Sequence, residues 1–320
     1  MGLINFTFLL NLPIGCFFLG IILGFLGLKL KINIKLKELL TFIILLTIGL
    51  KGGISLPKNF DASSSSFFSI LLLLSIWGFL QPLLSFFVLK KVTTLEPTTI
   101  AVIGASFGSV SIITFVTGVT FLENLEVDYQ KIIIPILAVM ELPAIVSGVY
   151  LAKRVLHTNL SMRQTMVHSF LNKATISILI GLVLGVMLGF LGVSKLNQPC
   201  LSLFNFLVAL FLFDIGLGIA SGYKKIISLP LLAFGCYMPL ISSVIGLSIS
   251  YFLQLDIGTG TLVVLLCASA SYIAVPAAMK MILPQADEKV YLPLSLGVTF
   301  PFNVVLGIPL YYYFACKLLI

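Results

Sequence analysis

The chain contains itself twice. Leu19-Gly-Ile-Ile-Leu-Gly-Phe-Leu-Gly27 returns as Leu184-Gly-Val-Met-Leu-Gly-Phe-Leu-Gly192, identical at seven of nine positions and 165 residues further on. Two more pairs follow in the same order, Ile48-Gly-Leu50 with Ile215-Gly-Leu217 and Ser109-Val-Ser111 with Ser269-Ala-Ser271, at offsets of 167 and 160. Two such halves, each with an apolar segment interrupted by small and polar residues at a matched place, are the pattern of a membrane carrier with internal repeats.

Composition excludes a soluble domain. Hydrophobic residues make up 59% and charged residues 9%, where a soluble domain has about a quarter charged, and the mean hydropathy is +1.18. Apolar runs long enough to cross about 30 Å of hydrocarbon fall at 5–28, 38–56, 66–89, 99–121, 131–152, 174–193, 200–220, 226–253, 259–283 and 290–316. The expectation is therefore an all-α integral membrane protein of ten spans, five per half. An odd number per half makes the second copy enter from the opposite side, so the two five-helix repeats are inverted. Of the 19 Lys and Arg, 14 follow or close the odd-numbered spans, among them Lys29 to Lys37, Lys90, Lys91, Lys153, Arg154, Arg163 and Lys173. The positive-inside rule then puts those loops in the cytoplasm and both termini outside it, in a plasma (bacterial inner) membrane.

The net charge of +8 reads as topology plus attraction to anionic membrane lipid; with no soluble basic domain, nucleic acid is not an expected partner. The halves are 1–152 and 174–320, joined by a basic cytoplasmic linker, 153–173, that holds His157 and His168 too far apart to ligate a metal from adjacent turns. Cys16, Cys200, Cys236, Cys267 and Cys316 stand singly in apolar runs and read as small buried hydrophobes. The first apolar run lacks a basic n-region and a cleavage pattern, so it reads as a retained helix. Gly20, Gly24 and Gly27, like Gly181, Gly185, Gly189 and Gly192, line one helix face each, which suits close helix packing.

Two spans read as broken. Span 4 carries Gly104-Ala-Ser-Phe-Gly-Ser-Val-Ser111, then Thr114, Thr117 and Gly118; span 9 carries Cys267-Ala-Ser-Ala-Ser-Tyr-Ile-Ala-Val-Pro276. Pro276 lacks an amide donor and drives Val275 from helical geometry, and Gly108 with the serines permits unwinding. Irregular backbone at that depth must line a cavity or be buried in protein. If both spans break, helix N-termini that favour an anion and C-termini that favour a cation meet near the midplane; intact helices with hydroxyls bonded to the preceding turn are the alternative. Two acids lie inside spans, Glu141 in Met140-Glu-Leu-Pro143 and Asp214 in Phe213-Asp-Ile-Gly216, and both are candidate ion-coupling groups. The chain has no HExxH, no Walker-type loop and no histidine within a span, so neither an enzyme nor a nucleotide-driven pump is expected.

Four blocks carry a resemblance: Ile48-Gly-Leu-Lys-Gly-Gly53; Phe107-Gly-Ser-Val-Ser111 with Leu122, Glu123 and Tyr129; Met140-Glu-Leu-Pro-Ala144; and Ala268-Ser-Ala-Ser271 with Pro276, Pro284, Tyr291 and Pro301. Over nearly its whole length the chain resembles the cyanobacterial-type sodium-dependent bicarbonate transporters. That resemblance implies a core domain moving against a gate domain, a homotrimer, a PII-type regulatory partner, and a substrate site where spans 4 and 9 cross. By position it implicates Gly108, Ser109, Ser111 and Thr114 with Ser269 and Ser271, and it puts Glu141 where relatives carry an aspartate. The chain departs from the pattern in two places. Tyr272 follows Ser271 where the motif has aspartate, and Ile112-Ile113 replaces glycine-serine. The long cytoplasmic insertion of characterised relatives is reduced to the short linker.

The resulting expectation is import of bicarbonate or a similar small anion by alternating access, coupled to Na⁺ and without a cofactor, with Tyr272 joining the substrate site. The alternatives are an H⁺-coupled or uncoupled carrier of another small organic anion, favoured by Tyr272, and a transport-incompetent membrane sensor or scaffold.

Overall fold

The computed structural model describes residues 12–28, 33–59, 64–130, 132–156, 173–192, 206–214, 216–218 and 228–319; most of the linker, with His157 and His168, and Cys200 lie outside them. Every regular element among the described residues is helical. The elements are α1 (Leu12–Phe25), α2 (Ile34–Asn59), α3 (Ser64–Val92), α4 (Pro97–Phe107), α5 (Ile112–Asn124), α6 (Ile133–Val139), α7 (Glu141–Leu156) and α8 (Lys173–Phe190), then α9 (Phe206–Gly218), α10 (Leu229–Phe252), α11 (Ile257–Ala268) and α12 (Ala274–Ile282), and α13 (Glu288–Leu318). Among the described residues, four stretches are by length and composition able to cross a membrane: Phe67–Val92, Pro97–Asn124, Leu229–Phe252 and Glu288–Leu318. Pro97–Asn124 is almost wholly buried by other helices, whereas Phe67–Val92 turns most of its surface outward.

Small residues set the closest helix pairs. A side chain on Gly20 of α1 would strike the Phe213 carbonyl and crowd Leu217 on α9, and one on Gly216 of α9 would strike the Phe17 carbonyl and Ile21. The α2–α8 pair has the same arrangement: Gly53 faces Leu182 and Val186, and Gly185 faces Leu50 and Gly53 itself. Equivalent positions are 165 apart on α1 and α8 (Phe17 with Leu182, Gly20 with Gly185) and 163 apart on α2 and α9 (Leu50 with Phe213, Gly53 with Gly216). The packing therefore pairs Gly53 with Gly216, one helical turn from the Gly49–Gly216 match of the Ile-Gly-Leu blocks. Gly27 and Gly192, the last residues of the nine-residue repeat, end α1 and α8 in left-handed backbone at φ 91° and 69°. Each donates its amide three residues back, to Gly24 and Gly189, a helix stop that a side chain would strain.

The buried apolar residues form two clusters. One gathers Phe17, Ile44, Leu74, the buried apolar residues of α5 and α11, and Tyr272. The other gathers Phe86, Leu89, α4, Val149, Phe234, Met238, Met279 and Leu294. Phe107 and Ala270 belong to the second cluster, Val110 and Tyr272 to the first. The breaks in spans 4 and 9 thus lie where the two cores meet.

Candidate functional site at the crossing of two broken helices

Both expected breaks are present. In span 4, α4 ends at Phe107 and α5 starts at Ile112, with Ser111 extended (φ −96°, ψ 111°) as the N-cap. Its hydroxyl oxygen accepts from the Thr114 amide (3.2 Å) and from the Thr114 hydroxyl (2.9 Å). Such a cap satisfies an amide that the start of a helix leaves open. Gly108 is here for space: a side chain would collide with the Pro82 ring of α3 and lie 2.7 Å from the Gly78 carbonyl. In span 9, α11 ends at Ala268, Ser269 is extended (φ −92°, ψ 169°), and α12 starts at Ala274, with Pro276 in its first turn, where no donor is needed.

The breaks grip each other. The Ser111 amide donates to the Ser269 hydroxyl (2.9 Å), and the Ser271 amide donates to the Ser106 carbonyl (2.8 Å). A third kink delivers the acid. Pro143 sits in the first turn of α7, and its ring disfavours helix at the preceding turn, so the span bends at Met140 and Glu141 becomes the first residue of α7. Amides at a helix start favour negative charge.

Val110, Ser111, Ile112, Glu141, Ser271, Tyr272 and Ile273 enclose a cavity of about 10 Å³, room for roughly one water molecule. No Lys, Arg or His is among its described lining residues. Ser109 Oγ, Glu141 Oε2 and Tyr272 Oη are buried here without a hydrogen-bond partner among the described residues; the Tyr272 hydroxyl faces Ser111 but does not reach hydrogen-bond geometry. An unpaired buried hydroxyl costs about 1–3 kcal/mol, so three orphan groups at one crossing mark a place built for something other than packing.

Of the residues expected from sequence, Ser111, Thr114, Ser269, Ser271, Tyr272 and Glu141 come together, with Ser109 next to Val110 in the span-4 break and Gly108 holding the back of the break against α3. Asp214 does not join them. It lies on α9, whose neighbours Phe213 and Gly216 pack on α1, and it is not among the cavity-lining residues. Gly104-Ala-Ser-Phe-Gly108 has the GxSxG spacing of a nucleophile elbow but sits in helix, with the Ser106 hydroxyl donating to the Val102 carbonyl (2.8 Å) and no strand leading into it, so the context that motif needs is missing. The free thiols Cys16, Cys236, Cys267 and Cys316 are unpaired.

Sequence reading missed three polar groups. Asn303 Nδ2 donates to the Ala268 carbonyl (2.9 Å) and the Tyr311 hydroxyl donates to Asn303 Oδ1 (2.8 Å). Gln81 Nε2 donates to the Ser242 hydroxyl (2.8 Å), joining α3 to α10. A lone Asn or Gln within an apolar run was the available signal.

One family model matches the chain, over residues 13–316: the Na⁺-dependent bicarbonate transporter superfamily. The chain belongs to that superfamily. None of the curated proteins matches it.

Proposed function

We propose that this superfamily member imports bicarbonate or a similar small anion across a bacterial inner membrane by alternating access, with Na⁺ as the coupled ion. The observation that carries the reading is the meeting of two helix breaks around Ser109, Glu141 and Tyr272, each with a buried polar atom that no described residue satisfies. Serine hydroxyls and the amide-bearing starts of α5 and α12 suit an anion, and the Glu141 carboxylate suits a cation. In this reading Gly108, Ser109, Ser111, Thr114, Ser269, Ser271 and Tyr272 form the substrate site. The cavity is too small for an anion of four heavy atoms, so binding requires the crossing to open.

Ten spans in two inverted halves complete the reading. The matched glycine contacts of α1–α9 and α8–α2 support it, because a two-fold axis in the membrane plane exchanges those two pairs. Homotrimeric assembly and a PII-type partner belong to the same proposal.

Uptake of labelled bicarbonate into vesicles, with Na⁺ present or replaced by choline, tests it. Ser109→Leu should abolish uptake while leaving expression intact, and Glu141→Gln should weaken ion dependence. Unchanged uptake and unchanged ion dependence in both variants would move the site elsewhere. A second reading, coupling to H⁺, draws support from Glu141 being the one carboxylate among the cavity's described lining residues, with Tyr272 beside it; uptake driven by a pH gradient in choline would select it.

A further inference from the structure

Span 10 is irregular where it passes the crossing. Within α13, Leu294–Thr299 and Asn303–Gly307 are π-helical, separated by the short α segment Phe300–Phe302. Such widened turns rarely persist without a local reason. Here the irregular stretch makes three contacts, one with span 8 and two with span 9. Thr299 donates to the Gly235 carbonyl (3.0 Å), which Pro239 of α10 leaves without its helical donor. The Phe300 ring meets Tyr272 edge to face at 6.1 Å. Asn303 takes the Ala268 carbonyl at the last residue of α11.

The Asn303 contact is a built device. In a regular α-helix, residues eight apart point about 80° away from each other, so Asn303 and Tyr311 would not share a face. The π turn absorbs extra residues and brings them into line. Gly307 lies between them and has no side chain for a reason: a Cβ there would be 2.7 Å from Asn303 Oδ1 and 3.0 Å from the Tyr311 hydroxyl. Asn303 and Tyr311 are both fully buried. The Ala268 carbonyl shares a rigid plane with the Ser269 amide, so whatever holds that carbonyl orients the first peptide of the break.

We infer that Asn303, braced by Tyr311 across Gly307, is a positioning residue of the transport site: it fixes the end of α11 and thereby the Ser269–Ile273 backbone that meets span 4. The inference rests on the proposed transport reading for its functional meaning, though its structural half can be read without any substrate.

Cys267 supplies that independent readout. It neighbours Ala268 on α11, and only 1% of it is exposed, so it reacts with a maleimide only if the helix end loosens. Parent protein, Asn303→Leu, Tyr311→Phe and Gly307→Ala are reconstituted. Bicarbonate and Na⁺ dependence of uptake are measured alongside cysteine-resolved alkylation by mass spectrometry, with Cys236 and Cys316 as internal controls. In Asn303→Leu the KM for bicarbonate and the half-saturating Na⁺ concentration are expected to rise about tenfold, as for one lost hydrogen bond in a polar site. Cys267 should be alkylated faster by a similar factor while the controls stay at parent rates. Tyr311→Phe and Gly307→Ala should shift the same quantities in the same direction by about threefold, and they carry the test if Asn303→Leu does not fold. Parent KM values and parent Cys267 rates in all recovered variants, with only Vmax falling alongside the amount of folded protein, would overturn the inference. A parent that transports no bicarbonate overturns the proposed function instead, and the Cys267 rates then decide the positioning role alone.

Discussion

The breaks in spans 4 and 9 occupy matched places in the sequence, yet they are held differently. The span-4 break is largely self-contained: Ser111 caps its own helix through Thr114, and Gly108 backs onto Pro82. The span-9 break has only a longer bond of its own, the Val275 amide on the Ser271 hydroxyl (3.4 Å), and is held mainly from outside, by the Ser111 amide on the Ser269 hydroxyl, by the Ser106 carbonyl on the Ser271 amide, and by Asn303 on the Ala268 carbonyl. Ser109 and Ser269 make the contrast sharpest. Strict symmetry would have the Ser271 amide donate to the Ser109 hydroxyl, as the Ser111 amide does to Ser269. It goes to the Ser106 carbonyl, and Ser109 Oγ has no partner among the described residues. Two serines that look equivalent in sequence are therefore held differently: Ser269 accepts a bond across the crossing, and the Ser109 hydroxyl has no partner among the described residues.

That contrast can be broken in several ways. The largest effect is expected from Gly108→Val, which drives a branched side chain into Pro82 and the Gly78 carbonyl. It should cost about 3 kcal/mol or more, the upper range of overpacking, seen as loss of folded protein in detergent; a well-folded variant would show that α3 can yield. Ser109→Ala should leave the thermal midpoint near the parent's and weaken anion affinity about ten- to hundredfold, the cost of one hydrogen bond to a charged ligand. Ser269→Ala should, unlike Ser109→Ala, lower the thermal midpoint as well as affinity, by about 1–3 kcal/mol of stability, because the buried Ser111 amide loses its acceptor. If the two alanine variants behave alike, the assignment of roles falls. Ser111→Ala removes a helix cap worth about 1 kcal/mol, so a modest drop in midpoint should accompany reduced uptake. The smallest effect is expected from Tyr272→Phe, whose hydroxyl has no partner among the described residues; stability should be unchanged or slightly higher, and any change in uptake would assign the hydroxyl to the ligand.

The breaks were legible because glycine, paired serines and a proline fail as helix formers for local reasons that need no partner. Glu141 was legible as a costly residue in an apolar run, but its place at a helix start followed only from the bend at Met140. The grip of Asn303 on Ala268 was not legible, since nothing local ties residues 35 apart. The register of α2 against α9 slipped by one turn for a related reason. Small residues recurring every four positions, as at Gly49 and Gly53, present nearly the same face after a four-residue shift, and only the contacts with Phe17, Ile21, Leu182 and Val186 distinguish the two registers.

The two apolar cores have a consequence for how such a chain could arise and be taken apart. Each core draws on both sides of the linker: one joins α4 and Val149 to Phe234 and Met279, the other joins Phe17 and α5 to α11 and Tyr311. Neither the first 156 residues nor those from 173 onward own a complete interior. A nick between them is survivable only when both pieces are made in the same cell, and recovery of either piece alone as a stable, folded protein would contradict this. In the proposed inverted arrangement, an ancestor consisting of a single half would have needed a sister copy inserted upside down beside it, and gene fusion would have made permanent a partnership between molecules of opposite orientation.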